Sequence, residues 1–126
     1  MIHNMKKLVT KYFRGVDEED IDAVLSTLQN DCLFSIETHY VKLQGHDQIS
    51  EMLHRLWKNH KWVRHDQFYF IEDTTAVEIA VRFQVKNKLL SNKLVRKSNC
   101  NFFTFKENKF SNIRVYRAGE NTLNIN

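Results

Sequence analysis

The sequence predicts an α+β domain in which three amphipathic N-terminal helices pack on a curved antiparallel sheet to form a cone-shaped barrel. Three observations predict it. Apolar residues recur at helical spacing in three stretches between Ile2 and Trp57. From Trp62 onward the period changes to two. Turn residues then divide the second half into strands, and helices followed by a strand meander read as α+β. The chain has 126 residues, which fits one domain over 1–126, and no linker, repeat or low-complexity segment divides it.

Ile2, Met5, Leu8, Val9, Tyr12 and Phe13 share one face of the first helix, with Lys6, Lys7 and Lys11 on the other. Gly15 reads as its end. Asp17 is expected to cap the second helix, with Glu18, Glu19 and Asp20 favouring that helix's positive end. Ile21, Val24, Leu25 and Leu28 are its expected buried face. Asn30-Asp31 break the helical pattern, and Cys32 to Tyr40 alternates as a strand with Phe34, Ile36 and Thr38 on one side. Gly45 marks a turn. The third helix is expected from about Asp47, with Ile49, Met52, Leu53, Leu56 and Trp57 inward. Four strands are predicted over Trp62–Glu72, Ala76–Asn87, Lys93–Lys106 and Lys109–Arg117. In the second of these, Val77, Ile79, Val81, Phe83 and Val85 face the helices, while Glu78, Arg82, Gln84 and Lys86 face away.

Composition removes several function classes. Nine Phe with no Pro and three Gly exclude a disordered chain. A net charge of +4 raises nucleic acid as a partner, but the basic residues are scattered. The densest run, Lys86 to Lys97, reads as a solvated hairpin tip, so nucleic-acid binding ranks last. No apolar run approaches the roughly 20 residues that span a bilayer, so no membrane partner is expected. Cys32 and Cys100 have no metal-type spacing, and the first helix is interrupted by too many polar residues for a secretory signal. Both therefore read as reduced thiols of a cytoplasmic protein. No His/Asp/Glu set has metal spacing, and no Ser or Cys lies in a nucleophile motif.

Four stretches carry a resemblance. They are Tyr12-Phe13 with Asp20-Ile21-Asp22-Ala23-Val24, the junction Asn30-Asp31-Cys32, the helix entry Gly45-His46-Asp47-Gln48-Ile49, and the closing hairpin from Phe103 to Tyr116. In order and spacing the chain resembles the nuclear transport factor 2-like superfamily, which also holds steroid delta-isomerases and SnoaL-like polyketide cyclases. The resemblance implies a cone with an internal pocket, no cofactor, and a homodimer formed through the outer sheet face. In the steroid isomerase branch a carboxylate base works with a tyrosine and a neutral carboxylic acid that polarise an oxygen. Tyr12 falls at the tyrosine position, Asn101 at the acid position and Ile36 at the base position. Isoleucine cannot take a proton, so that mechanism is excluded.

Alternation then names the expected pocket lining. Thr38 joins Ile36, and Val95, Lys97, Asn99 and Phe103 join Asn101. Ile113, Val115 and Arg117 come from the last strand, Met52 from the third helix, and Val77, Ile79, Val81 and Phe83 from the sheet. The expected cavity is mainly apolar, with polarity from Tyr12, Asn99, Asn101 and Arg117. Tyr12 also fits as a core tyrosine, and Arg117 either holds an anionic ligand or pairs with Glu120. His65 is the candidate base. Asp66 points to the opposite face and is not expected to orient it. His46, His54 and His60 read as surface residues. Phe102 and Cys100 share the otherwise polar outer face, which marks a contact surface.

Two functional readings stand. The first is a domain that binds a small apolar or polyketide-like molecule and performs cofactor-free acid–base chemistry of isomerase, cyclase or dehydratase type. Tyr12 and Asn101 would polarise an oxygen and His65 would move a proton. The second is a non-catalytic binding, dimerisation or assembly module of the same fold.

Overall fold

The helical period at the N-terminus is realised as α1 (Met5–Asp17) in the computed structural model, which describes residues 4–118. Ile2 and Glu120, and with Glu120 the ion pair considered for Arg117, lie outside the described residues. The Asn4 side chain caps α1 by accepting from Lys7 N at 3.3 Å. Gly15 does not end this helix. A Cβ there would stand 2.7 Å from Val24 Cγ2, so the glycine allows α2 to approach closely. The stop comes after Asp17, where Glu19 adopts a left-handed φ of 55° and Asp20 N donates to Gly15 O at 2.9 Å. The second helix, α2 (Ile21–Leu25), is capped by Asp20, which accepts from Ala23 N at 3.1 Å. Asp17 is therefore not the cap, and Leu28 lies beyond the helix.

Leu28 opens β1 (Leu28–Ile36), which ends earlier than the expected Tyr40. Glu37–His39 form a single 3₁₀ turn, and Tyr40 at a left-handed φ of 56° reverses the chain into a short strand, β2 (Val41–Gln44). Then come α3 (Gly45–Asn59), β3 (His60–Asp73), β4 (Glu78–Leu89), β5 (Leu94–Lys106) and β6 (Lys109–Tyr116). The six strands form one sheet in the order β2-β1-β6-β5-β4-β3. It is mixed rather than wholly antiparallel, because β1 pairs parallel with β6. The two are distant in sequence, so no hairpin sets their relative direction, and alternation within a strand encodes its face but not its partner. Because β2 and β3 are edges, the sheet wraps the helices without closing into a barrel.

The core lies between this inner face and the helices. Phe103, Phe110, Met5, Leu28, Ile49 and Ile79 are among its fully buried members. Truncating a Phe at such a site costs about 3–5 kcal/mol. Trp57 Nε1 donates to Val16 O at 2.9 Å and ties α3 to α1. The β5–β6 turn places Glu107 and Asn108 at φ 50° and 69°, the backbone twist that a two-residue hairpin favours. In β3, Asp66 faces Gln84 and Tyr69 faces Arg82, so Gln67 and Phe68 together oppose Phe83. This bulge, with Gln67 at φ 56°, switches the strand's parity. His65, Phe68 and Phe70 thereby turn toward the helices, and Tyr69 and Ile71 turn to solvent.

Candidate functional site

Between α1, α3 and the inner sheet face lies a cavity of about 80 Å³. Its apolar side comes from Phe13 and Val16 of α1, Met52, Leu53 and Leu56 of α3, and Phe34, Val63, Phe83, Val85 and Val115 of the sheet. Its polar side is made by Tyr12, His65, Asn87, Lys97, Asn99, Asn101 and Arg117. Lys97, Asn99 and Asn101 are alternate residues of β5 and so share one face. They are only 8%, 8% and 3% exposed, which puts three strongly polar side chains inside the fold.

Each of these groups is held by its element. Asn99 Oδ1 accepts from Ala118 N at 3.1 Å, which turns the Asn99 amide NH₂ away from that bond. Asn101 Oδ1 is buried with no hydrogen-bond partner. An unmet buried acceptor costs about 1–3 kcal/mol, so Asn101 Oδ1 is an atom that a water or a bound molecule in the cavity would satisfy. Arg117 N donates to Thr38 Oγ1 at 3.3 Å, fixing the chain after β6. Tyr12 packs edge-on against Phe13 and Phe103 at 5.1 and 5.5 Å. Burial pushes its hydroxyl pKa well above the ordinary value, Cys32 adds to this, and Arg117 opposes it. Tyr12 is thus a protonated donor at any physiological pH.

The most directed contact is made by His65. Its Nδ1 lies 2.6 Å from Asp17 Oδ1, and its backbone N donates to Asp17 Oδ2 at 2.8 Å. Both side chains are largely buried, and the imidazole packs on Phe13 and Phe83 at 4.7 and 5.4 Å. A carboxylate on Nδ1–H leaves the neutral ring's lone pair on Nε2. The ring stands in the wall between the interior cavity and a surface groove bordered by Thr10, Arg14 and Arg64.

Of the residues predicted for the site, Tyr12, His65, Asn101, Met52, Phe83, Asn99, Val115 and Arg117 stand in the cavity wall. Ile36, Ile79, Val81, Phe103 and Ile113 do not. They are fully buried and sealed in the core, because aromatic rings fill the interior of the cone, Phe103 against Phe110 at 4.7 Å among them. Thr38 lies exposed in the 3₁₀ turn, since β1 ends before it. Val77 belongs to the turn before β4, with a left-handed φ of 54°. His60, expected at the surface, is 3% exposed, and its Nδ1 donates to Leu56 O at 2.6 Å. Burial lowers its pKa, and the Lys97 and Arg117 charges lower it further against the raising effect of that bond.

Sequence reasoning missed Asp17 and Asn87. Asp17 carried a signal: a carboxylate in the last turn of α1 opposes the helix dipole and calls for a compensating donor. Among the described residues no three His, Cys, Asp or Glu side chains gather as a metal site. No described helix is long and apolar enough to cross a membrane.

No protein-family model matches the sequence, and no curated protein matches it. Solved structures match in fold. A candidate polyketide cyclase from Xanthomonas campestris pv. campestris superposes with a TM-score of 0.81 at 13% identity, covering 88% of this chain and 87% of that one. A hypothetical protein with a ketosteroid isomerase-like fold from Catenulispora acidiphila, in complex with trimethylamine, gives 0.78 at 10% identity, covering 86% and 83%. An epoxide hydrolase of LEH-like type from M. tuberculosis gives 0.72 at 15%, covering 88% and 80%. NTF2-like proteins of unknown function from Exiguobacterium and Burkholderia pseudomallei share the same fold.

Proposed function

We propose that this chain, which has the nuclear transport factor 2-like fold, binds a small carbonyl compound in its cavity and moves a proton on it without a cofactor. The observation that carries the reading is the His65–Asp17 pair at 2.6 Å in the cavity wall. Asp17 holds the imidazole in the tautomer that leaves Nε2 as base. Nε2 takes a proton from the carbon beside the carbonyl, the C–H electron pair forms a C=C bond, and the C=O π pair moves onto the carbonyl oxygen. The Tyr12 hydroxyl and the Asn101 amide donate to that oxygen as its charge develops. His65 thus does from β3 what Ile36 on β1 cannot.

The volume sets the size of the substrate. At about 80 Å³ the cavity is well below the roughly 300–1,000 Å³ of pockets that bury drug-sized ligands, which narrows the reading from polyketide-like to short-chain molecules.

The test uses hydroxyacetone in D₂O, with exchange of the protons beside its carbonyl followed by ¹H NMR. The protein is expected to accelerate the exchange, and His65→Gln to reduce the acceleration by about 10²-fold or more. Asp17→Asn is expected to reduce it in the same direction. Absence of acceleration, or acceleration indifferent to both substitutions, would overturn the reading.

A second reading, an assembly module that works as a homodimer, draws on the outer sheet face. There Phe102 meets Tyr116 at 5.7 Å, and Tyr69 and Ile71 are 53% and 61% exposed. Sedimentation equilibrium decides it: a monomer at all concentrations excludes the homodimer.

A further inference from the structure

Asn101 has more hydrogen-bonding capacity than the proton transfer proposed above uses. Its NH₂ donates to the carbonyl oxygen, but its Oδ1 is left over. That oxygen belongs to a side chain buried in the cavity wall, and no described residue donates to it. Its neighbours are committed elsewhere. Asn99, two residues away on the same face of β5, turns its own Oδ1 to Ala118 N. Among the described residues Tyr12 carries the one hydroxyl in the wall, and the carbonyl oxygen claims it. An amide holds its acceptor and its donor side by side on one carbon. Its complement is a molecule whose donor and acceptor are equally close, a hydroxyl and a carbonyl on adjacent carbons. The hydroxyl then donates to Oδ1 while the carbonyl accepts from the NH₂, and both oxygens are held on the same side of their C–C bond. A simple ketone would leave Oδ1 unmet, at a cost of about 1–3 kcal/mol.

We infer that the cavity takes a short-chain α-hydroxy ketone or aldehyde, anchored through both oxygens on the Asn101 amide, and interconverts the two through a cis-enediol. This rests on the proton-transfer reading and names its substrate class and its product. His65 Nε2 removes a proton from the hydroxyl-bearing carbon. The C–H pair becomes the C=C bond, and the C=O π pair moves onto the carbonyl oxygen, where Tyr12 and the Asn101 NH₂ meet the developing charge. The hydroxyl proton passes to that oxygen across the cis pair. The electron pair left on the first oxygen forms the new C=O bond, and the C=C pair takes the proton back from Nε2–H at the neighbouring carbon. No oxidant or reductant enters the balance, and His65 ends as it began.

Hydroxyacetone in D₂O tests this within one molecule, because it carries hydrogens on both sides of its carbonyl. Exchange at its CH₂OH and CH₃ groups is followed separately by ¹H NMR, with free imidazole as the reference base. The protein is expected to favour CH₂OH over CH₃ by about tenfold more than imidazole does, the margin that one buried hydrogen bond supplies. It is also expected to convert lactaldehyde, the aldehyde isomer, to hydroxyacetone. 2-Butanone, in which a methyl replaces the hydroxyl, should bind about tenfold more weakly than hydroxyacetone in a titration read from the Asn101 side-chain amide resonances. Asn101→Leu, which removes both ends of the amide, should return the CH₂OH preference to that of imidazole.

Accelerated exchange with imidazole's own ratio of CH₂OH to CH₃, or 2-butanone binding as tightly as hydroxyacetone, would overturn the hydroxyl contact while leaving the proton transfer standing. Accelerated exchange at CH₂OH with no conversion of lactaldehyde would overturn the isomerisation. No acceleration at either group would remove the proton-transfer reading and this inference with it. Each of these outcomes is read on the wild-type protein, so a variant that fails to fold leaves the test intact.

Discussion

His60 and His65 lie on the same strand, but their surroundings differ. His65 meets a carboxylate at 2.6 Å. His60 is buried within reach of two cations, and its pKa is lowered by burial first and by Lys97 and Arg117 next. Folding therefore favours the neutral His60 ring. That contribution to stability is complete above the ordinary value of 6.5 and is lost as pH falls below it toward the depressed folded value. Urea unfolding between about pH 8 and about pH 5 should show stability decreasing on the acid side, and His60→Gln should flatten the decrease. Equal slopes for the two proteins would count against His60 as a source. Little of this was legible in the sequence. His60 follows a helix and precedes an alternating run, a place where exposure is the ordinary outcome. Its bond to Leu56 O and its pairing with Leu89 of β4 are set by chain reversal, which local pattern does not reveal. Tyr12 and Asn101 were legible only because the resemblance pointed at them, since a tyrosine on an apolar stripe and an asparagine in a strand are common as structural residues.

Elements were legible where one period ran unbroken. The faces of α1, α3 and β4 follow directly from spacing, because Met5, Val9, Tyr12 and Phe13, or Ile79, Val81, Phe83 and Val85, can only be buried together. Elements were misread where a residue served a neighbour. Gly15 looks like a stop, but it is a point of contact, with Val24 Cγ2 at 2.7 Å and Val24 N at 3.1 Å from any added Cβ. Gly15→Ala should therefore destabilise the chain by about 1–3 kcal/mol through overpacking, although alanine is the better helix former. Urea denaturation measures this, and a neutral or stabilising result would mean that α2 moves away freely. The bulge at Gln67 was also hidden, because a glutamine gives no sign of a left-handed backbone. It matters to the site, since His65 and Phe68 share a face only because of it.

For the whole molecule, the order of helices and strands announced the α+β architecture, and the chain's own turns divided its meander. The parallel pairing of β1 with β6 and the open edges at β2 and β3 were not legible, because they are set by long-range packing. The cavity volume was not legible either. It is what remains after Phe103, Phe110 and their neighbours fill the cone, and patterning does not state how completely a core is filled. The same holds for the pair at the heart of the site, whose members are 48 residues apart and meet only when α1 packs on β3. The decisive measurement is a long-range ¹H–¹⁵N spectrum of the histidine rings at neutral pH, in the wild type and in Asp17→Asn. The predicted result is His65 with its proton on Nδ1 and a bare Nε2, an arrangement lost in the variant. A proton on Nε2, or a His65 signal unchanged by Asp17→Asn, would contradict a base held by Asp17 at the cavity wall.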